Sequence, residues 1–147
     1  MTVRRNTIKQ SAAPPVVVSE SGNGPFAQFV TIGHHAMRAD EPTRLGGRDT
    51  GPAPYDFLLA GLGACTAMTL RMYASKHGWP VEGITVTLRH KKVAAAEQTG
   101  LIDQFERVIA ISGALSQEQK EKLLEIANQC PVSRTLQRPS IVNSRVE

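Results

Sequence analysis

Pro54-Tyr55-Asp56-Phe57-Leu58-Leu59-Ala60-Gly61-Leu62-Gly63-Ala64-Cys65-Thr66-Ala67-Met68-Thr69-Leu70-Arg71-Met72-Tyr73-Ala74-Ser75-Lys76-His77 reads as one long apolar helix. It opens at Pro52-Ala53-Pro54, where proline is tolerated because the first helical N–H groups lack partners anyway. It stops at Gly78-Trp79-Pro80, a terminator. Phe57, Leu58, Gly61, Leu62, Cys65, Met68, Thr69 and Met72 recur at the spacing of one helical face, which is expected to be the buried one. Gly61, Gly63, Ala64 and Ala67 let neighbouring elements approach closely. Only Asp56, Arg71 and Lys76 carry charge, so the helix is expected to be the buried spine of the domain. Its middle holds Cys65, one of two cysteines in the chain.

Working outward, strands are expected on both sides of this helix. Upstream, Val16-Val17-Val18 is β-branched, Ser21-Gly22-Asn23-Gly24-Pro25 signals a turn, and Phe26 to Ile32 and His34 to Arg38 resume strand character. Residues 39–54 are rich in Gly, Pro, Asp and Thr and read as a long loop. Downstream, Ile84, Val86 and Leu88 alternate with Thr85, Thr87 and Arg89, and Phe105 to Ile111 repeats the period of two, with Gln98-Thr99-Gly100 as the turn between them. Ser116 and Gln119 form a capping box for a helix that buries Leu123, Leu124, Ile126 and Ala127 and ends at Gln129. Cys130-Pro131-Val132-Ser133 then starts a short helix, and a last strand is expected over Ser140–Val146. The order predicts an α+β domain over residues 13–147, preceded by a loose arm over residues 1–12.

Composition removes several function classes. With 147 residues and a formal charge of +4, the chain has the size of one ordinary domain and a mildly basic surface. The basic residues are scattered and the chain has one Trp, two Tyr and four Phe, so no stacking platform accompanies them and nucleic-acid binding is not indicated. No segment approaches the apolar run expected of a membrane span, and polar Asn6, Lys9, Gln10 and Ser11 stand where a signal peptide needs its apolar region. A cytoplasmic location is therefore expected. His34 and His35 are adjacent on an expected strand and so point to opposite faces. No HxxxH or CxxC occurs, which argues against a metal site, and no glycine loop is followed by Lys-Ser or Lys-Thr to cradle phosphate.

The two cysteines remain as the chemistry. Sulfur is the only strong nucleophile the chain offers on fixed elements, and in a reducing compartment a disulfide would be transient and chemical. If the fold brings Cys65 and Cys130 together they form a dithiol; if not, each is a small apolar core residue. Cys130 stands at a helix start with Arg134 one turn away, which favours a thiolate. Cys65 lacks that help and needs a cation or donor from elsewhere in the fold.

Two stretches carry a family resemblance. Gly46-Gly47-Arg48-Asp49-Thr50-Gly51-Pro52 with Pro54 to Thr66, and Gly113-Ala114-Leu115-Ser116 with Ile126 to Leu136, resemble the first- and second-cysteine motifs of the OsmC/Ohr superfamily, the osmotically inducible and organic-hydroperoxide-resistance proteins. The resemblance runs from about residue 14 onward. It implies an OsmC-like fold, with antiparallel sheets around a long central helix in an intertwined homodimer. It also implies that Cys65 attacks an organic hydroperoxide and becomes a sulfenic acid, and that Cys130 condenses with it to a disulfide. A dithiol such as dihydrolipoamide then restores the pair, with no metal or other cofactor. The chain departs from the hydroperoxide reductases at one supporting position: Tyr55 stands where they hold a glutamate ten residues before the first cysteine. Asp56 falls on the opposite side of the helix. Arg44 and Arg48 are the nearest substitutes for the family's arginine. The likeness is therefore closer to the branch described only as redox proteins. A binding protein holding an apolar small molecule at the dimer interface, and a structural stress-related dimer, are the alternative readings on the same scaffold.

Overall fold

The computed structural model describes residues 13–97 and 99–147. The expected arm over residues 1–12, and Gln98 of the expected turn, lie outside the described residues. The chain forms two compact units that meet in sequence at Pro54/Tyr55.

The first unit is an antiparallel meander of β1 (Val16–Glu20), β2 (Gln28–Ile32) and β3 (His35–Ala39). Val18 pairs with Val30 and Val30 with Met37, so one register runs through the sheet. The β2–β3 loop is the two-residue Gly33-His34, with Gly33 at φ 58°, a left-handed position that a tight hairpin asks of its first loop residue. His34 thus sits in the turn instead of on the strand, and the expectation that the two histidines face apart is corrected: their rings lie 4.1 Å apart. The long loop that follows contains a short 3₁₀ turn over Thr43–Leu45 and is tied to Asp40. The buried Asp40 carboxylate accepts from the Thr50 hydroxyl at 2.7 Å and from the amides of Glu41, Thr50 and Arg48. The Thr50 hydroxyl first, and then those amides, hold its pKa below the usual carboxylate value although burial opposes them.

The second unit holds α1 (Pro54–Lys76), the long hairpin β4 (Val81–Ala94) and β5 (Leu101–Gly113), α2 (Gln117–Ala127) and α3 (Pro131–Leu136). The hairpin pairs from Ala94↔Leu101 to Val81↔Gly113, with a bulge between Val81 and Gly83. The expected alternation is present on β4, where Ile84, Val86 and Leu88 turn inward and Thr85, Thr87 and Arg89 are exposed. The capping box of α2 forms as read: Ser116 Oγ accepts from the Gln119 amide at 3.1 Å and Gln119 Oε1 from the Ser116 amide at 2.9 Å. The core clusters Leu70, Ala74, Val81, Leu123, Ile126 and Ala127, flanked by Tyr73, Trp79 and Ile109. The α+β class with antiparallel sheets and one long helix is what the chain adopts.

Three expectations about this unit are corrected. The buried side of α1 is Leu62, Gly63, Thr66, Leu70 and Ala74, not the face through Met68 and Met72. Met68 and Met72 are 64% and 67% exposed, so the richer apolar face is left uncovered by the described residues. The helix is apolar nearly all round, and side-chain hydropathy alone could not choose between its faces. Second, α1, 23 residues long and largely apolar, has the length and composition to cross a membrane, against the expectation that no segment does. Leu70 and Ala74 nevertheless spend their apolar surface on the core with α2. Third, Ser140–Val146 forms no strand: Ile141, Val142 and Val146 are 88%, 87% and 99% exposed. A β-pattern becomes a strand only where a neighbouring ladder accepts it, and neither sheet pairs with this segment.

Candidate functional site

Leu62, Gly63 and Thr66 are one turn apart on the buried side of α1, and Gly63 makes the close approach possible. A Cβ at Gly63 would stand 2.7 Å from Leu88 Cδ1 of β4, so the helix backbone rests against the hairpin there. Cys65 follows from that placement. One residue before Thr66, it lies at the margin of the buried face and is half-buried.

Cys130 reaches the same place from the other side. It is the N-cap of α3, with extended backbone (φ −60°, ψ 136°) and Pro131 at the first helical position. Its sulfur takes the capping role usually filled by an oxygen and accepts the Ser133 amide at 3.3 Å. Cys130 is fully buried. Both cysteines are free, and the fold sets the Cys65 thiol among the groups that lower the Cys130 pKa. Thr66 Oγ1 lies 3.9 Å from the same sulfur while donating to the Leu62 carbonyl at 2.7 Å.

The cation beside this pair is Arg107 on β5, a residue that the sequence reading did not single out. Its Nη1 donates to Thr66 Oγ1 at 2.9 Å and to the Ala127 carbonyl at 3.1 Å, and its Nη2 donates to Asn128 Oδ1 at 2.9 Å. One guanidinium thereby joins α1, β5 and the end of α2. The signal was present in the alternation. Phe105, Arg107, Ile109 and Ile111 are the inward positions of β5, and a charge at such a position needs partners inside the fold.

These contacts set the charge on Cys130. Burial pushes its thiol pKa up, but the Ser133 amide, the Cys65 thiol, the Thr66 hydroxyl and the Arg107 charge together bring it below the ordinary thiol value. The Ser133 amide at its sulfur and Arg107 nearby thus favour negative charge on Cys130.

The remaining candidates are placed differently. Arg134, expected to supply the cation for Cys130, has an exposed side chain; only its amide touches Cys130, at the carbonyl, 3.1 Å away. Arg107 holds the position assigned to it. A helix-surface residue one turn on from an N-cap points outward when the cap itself is buried, which the spacing could not reveal. Tyr55 stacks face to face on His90, centroids 4.3 Å apart and planes 6° apart. His90 Nε2 lies 2.8 Å from Asp103 Oδ1. Arg44 and Arg48 belong to the first unit, where Arg48 Nη1 donates to Asn23 Oδ1 at 3.4 Å and its amide to Asp40. Among the described residues no group of three or more His, Cys, Asp or Glu is arranged to hold a metal ion.

A cleft of about 450 Å³ opens beside Arg107, lined also by Leu62, Phe105, Asn128 and Ser133. Another, of about 390 Å³ between β5 and the outer side of α2, is lined by neither cysteine.

Residues 47–145 match the family described as OsmC-like protein. No curated protein matches the chain. Among solved structures, the fold is similar to an OsmC-like protein of Mycoplasma pneumoniae, with a TM-score of 0.70 and 16% identity over 86% of this chain and 88% of that one. It is similar to an organic hydroperoxide resistance protein of Legionella pneumophila, described also as a predicted redox protein, with a TM-score of 0.63 and 24% identity over 85% and 90%. An organic hydroperoxide resistance protein of Elizabethkingia anophelis gives a TM-score of 0.66 and 23% identity over 87% and 90%. At these identities the likeness speaks for the fold.

Proposed function

The chain belongs to the family of OsmC-like proteins, and from that premise we propose that it is a thiol-dependent reductase of organic hydroperoxides acting through Cys65 and Cys130. The observation that carries the reading is a half-buried free thiol whose fully buried counterpart feels it electrostatically. That arrangement suits an attacking sulfur that a substrate can reach and a second sulfur shielded until it is needed.

The reaction balances with these two groups. The Cys65 thiolate attacks the outer peroxide oxygen; the O–O bond breaks, the alkoxide leaves and takes a proton, and Cys65 becomes a sulfenic acid. Cys130 then attacks the Cys65 sulfur, an S–S bond forms, and the hydroxyl leaves as water. Two electrons pass from the pair to the peroxide. A dithiol of the dihydrolipoamide class returns them by thiol–disulfide exchange, and the cycle needs no metal or flavin. The cytoplasm, where such dithiols are kept reduced, is the compartment in which this cycle would run.

The test is mass spectrometry of the thiols after one equivalent of cumene hydroperoxide, with hydrogen peroxide in parallel. A Cys65–Cys130 disulfide that forms faster with the organic peroxide is the expected result. Two untouched thiols would sink the reading.

The assembly we propose is a homodimer. The uncovered Met68 and Met72 on α1, with Leu58 on the same helix 44% exposed, support it, since an apolar stripe of this kind needs a partner surface. Across a two-fold axis each residue is buried twice. At about 1.5–3 kcal/mol for each buried side chain, Met72→Lys is expected to weaken dimerisation by roughly a hundredfold or more. Sedimentation equilibrium of wild type and variant reads this directly, and an unchanged dimer would place the interface elsewhere.

A further inference from the structure

We propose that the cleft beside Arg107 is a binding site for a small organic carboxylate with a compact apolar body, its charge held by the Arg107 guanidinium. The cleft lies wholly within the second unit and has a volume of about 450 Å³, inside the range of about 300–1,000 Å³ of ordinary small-molecule sites. Among the described residues that line it, Arg107 is the only base and Asp103 the only acid. None of its groups is a sulfur, so the site does not depend on the peroxide chemistry proposed above.

A guanidinium carries five N–H groups and no acceptor. Arg107 spends three of them on neutral oxygens: Nη1 on Thr66 Oγ1 and the Ala127 carbonyl, and Nη2 on Asn128 Oδ1. Those bonds account for a staple between elements. They leave the charge without a counter-ion, since no ion pair among the described residues includes Arg107. They also leave the Nε–H and one Nη2–H with no described acceptor. Asp103 is not available to this charge: its carboxylate is engaged by Lys92 Nζ at 2.9 Å and by His90 Nε2 at 2.8 Å. A half-buried cation on a low-dielectric wall attracts an anion more strongly than one in open solvent.

Two further donors stand on the same cleft. Because Arg107 only donates, the Asn128 amide turns its oxygen to the guanidinium and its Nδ2 away from it, and Nδ2 donates to no described group. The Ser133 hydroxyl, in a residue only 6% exposed, accepts from Gln137 Nε2 at 3.0 Å and donates to no described group, which leaves its proton for a ligand. Leu62, Phe105, Leu124 and Leu136 supply the apolar wall. A sulfate or phosphate would leave that wall unused and bring a second negative charge toward Asp103. A monocarboxylate matches one guanidinium and buries its carbon body against the leucines.

The experiment is a titration of hexanoate into the reduced full-length protein, followed by nitrogen-edited NMR at the Asn128 and Ser133 amides and at the Arg107 Nε–H. Hexanol and sulfate are titrated in parallel. Hexanoate is expected to shift all three signals to saturation, and hexanol to bind roughly tenfold or more weakly, because it lacks the charge that Arg107 pairs. Arg107→Gln should lower hexanoate affinity by roughly the same factor. Asn128→Asp should do so too, by placing a competing carboxylate on the guanidinium. Asn128 is exposed, so this variant decides should Arg107→Gln fail to fold. Hexanol binding as tightly as hexanoate would overturn the proposal by showing an apolar cleft only. Sulfate displacing hexanoate at equal concentration would overturn it by showing a simple anion spot. Absence of any hexanoate shift, or unchanged affinity in Asn128→Asp, would remove the site.

Discussion

Cys65→Ser is expected to abolish peroxide turnover, with a fall in rate of about a thousandfold or more in a dithiol-coupled assay. The size of the effect follows from exposure and not from nucleophilicity alone. Cys130 is fully buried and Cys65 half-buried, so removing Cys65 leaves no sulfur that a bulky alkyl hydroperoxide can approach. Serine at pH 7 does not ionise and cannot replace it. Cys130→Ser should behave differently. It still reaches the sulfenic acid but has no partner to condense with and proceeds with excess peroxide to the sulfinic acid, which dithiols do not reverse. Consumption of cumene hydroperoxide with dihydrolipoamide as reductant, followed by intact mass of the protein, distinguishes the two variants. Retained turnover in Cys65→Ser would remove Cys65 from the mechanism.

Leu70→Ala is expected to destabilise the fold by about 2–5 kcal/mol. Leu70 is fully buried at the centre of a cluster with Ala74, Val81, Leu123, Ile126 and Ala127, drawn from α1, β4 and α2. Truncation removes transfer energy and leaves a void that three elements cannot close without moving. Against a total stability of about 5–15 kcal/mol for an ordinary domain, that is a large fraction. Leu58→Ala, on the same helix but 44% exposed, provides the contrast within a monomer. Urea unfolding at one fixed protein concentration reads the difference, since association also contributes to apparent stability. A change below about 1 kcal/mol for Leu70→Ala would mean that this cluster is not the core.

Much of the candidate site was legible in particular residues. Cys65 and Cys130 stood out because nothing else in the chain offers comparable chemistry, and the motif around each one placed it on its element. Arg107 was missed because attention fell on cations near the cysteines in sequence, Arg134 foremost. The Cys130 sulfur meets a cation from a strand more than twenty residues away, which no local pattern reports. The informative sign was an arginine on the dry side of an alternating strand. Tyr55 illustrates the opposite case: its position relative to Cys65 was clear, but its stacking on His90 depended on where β4 came to lie.

Periodicity, turn chemistry and capping by themselves determined where the helices and most strands begin and end, because those signals are local and each residue's backbone responds to its near neighbours. They also singled out the two sulfurs as the candidate chemistry. Only the tertiary structure decided which face of α1 is buried, because a helix apolar nearly all round has no side that hydropathy prefers, and packing against Leu88 and the α2 core selects one. It also decided that Ser140–Val146 stays unpaired, because a strand exists only with a partner ladder. And it alone brought Arg107, Thr66 and the Ser133 amide around Cys130, since the charge on a buried sulfur is set by groups that converge in space from separate elements.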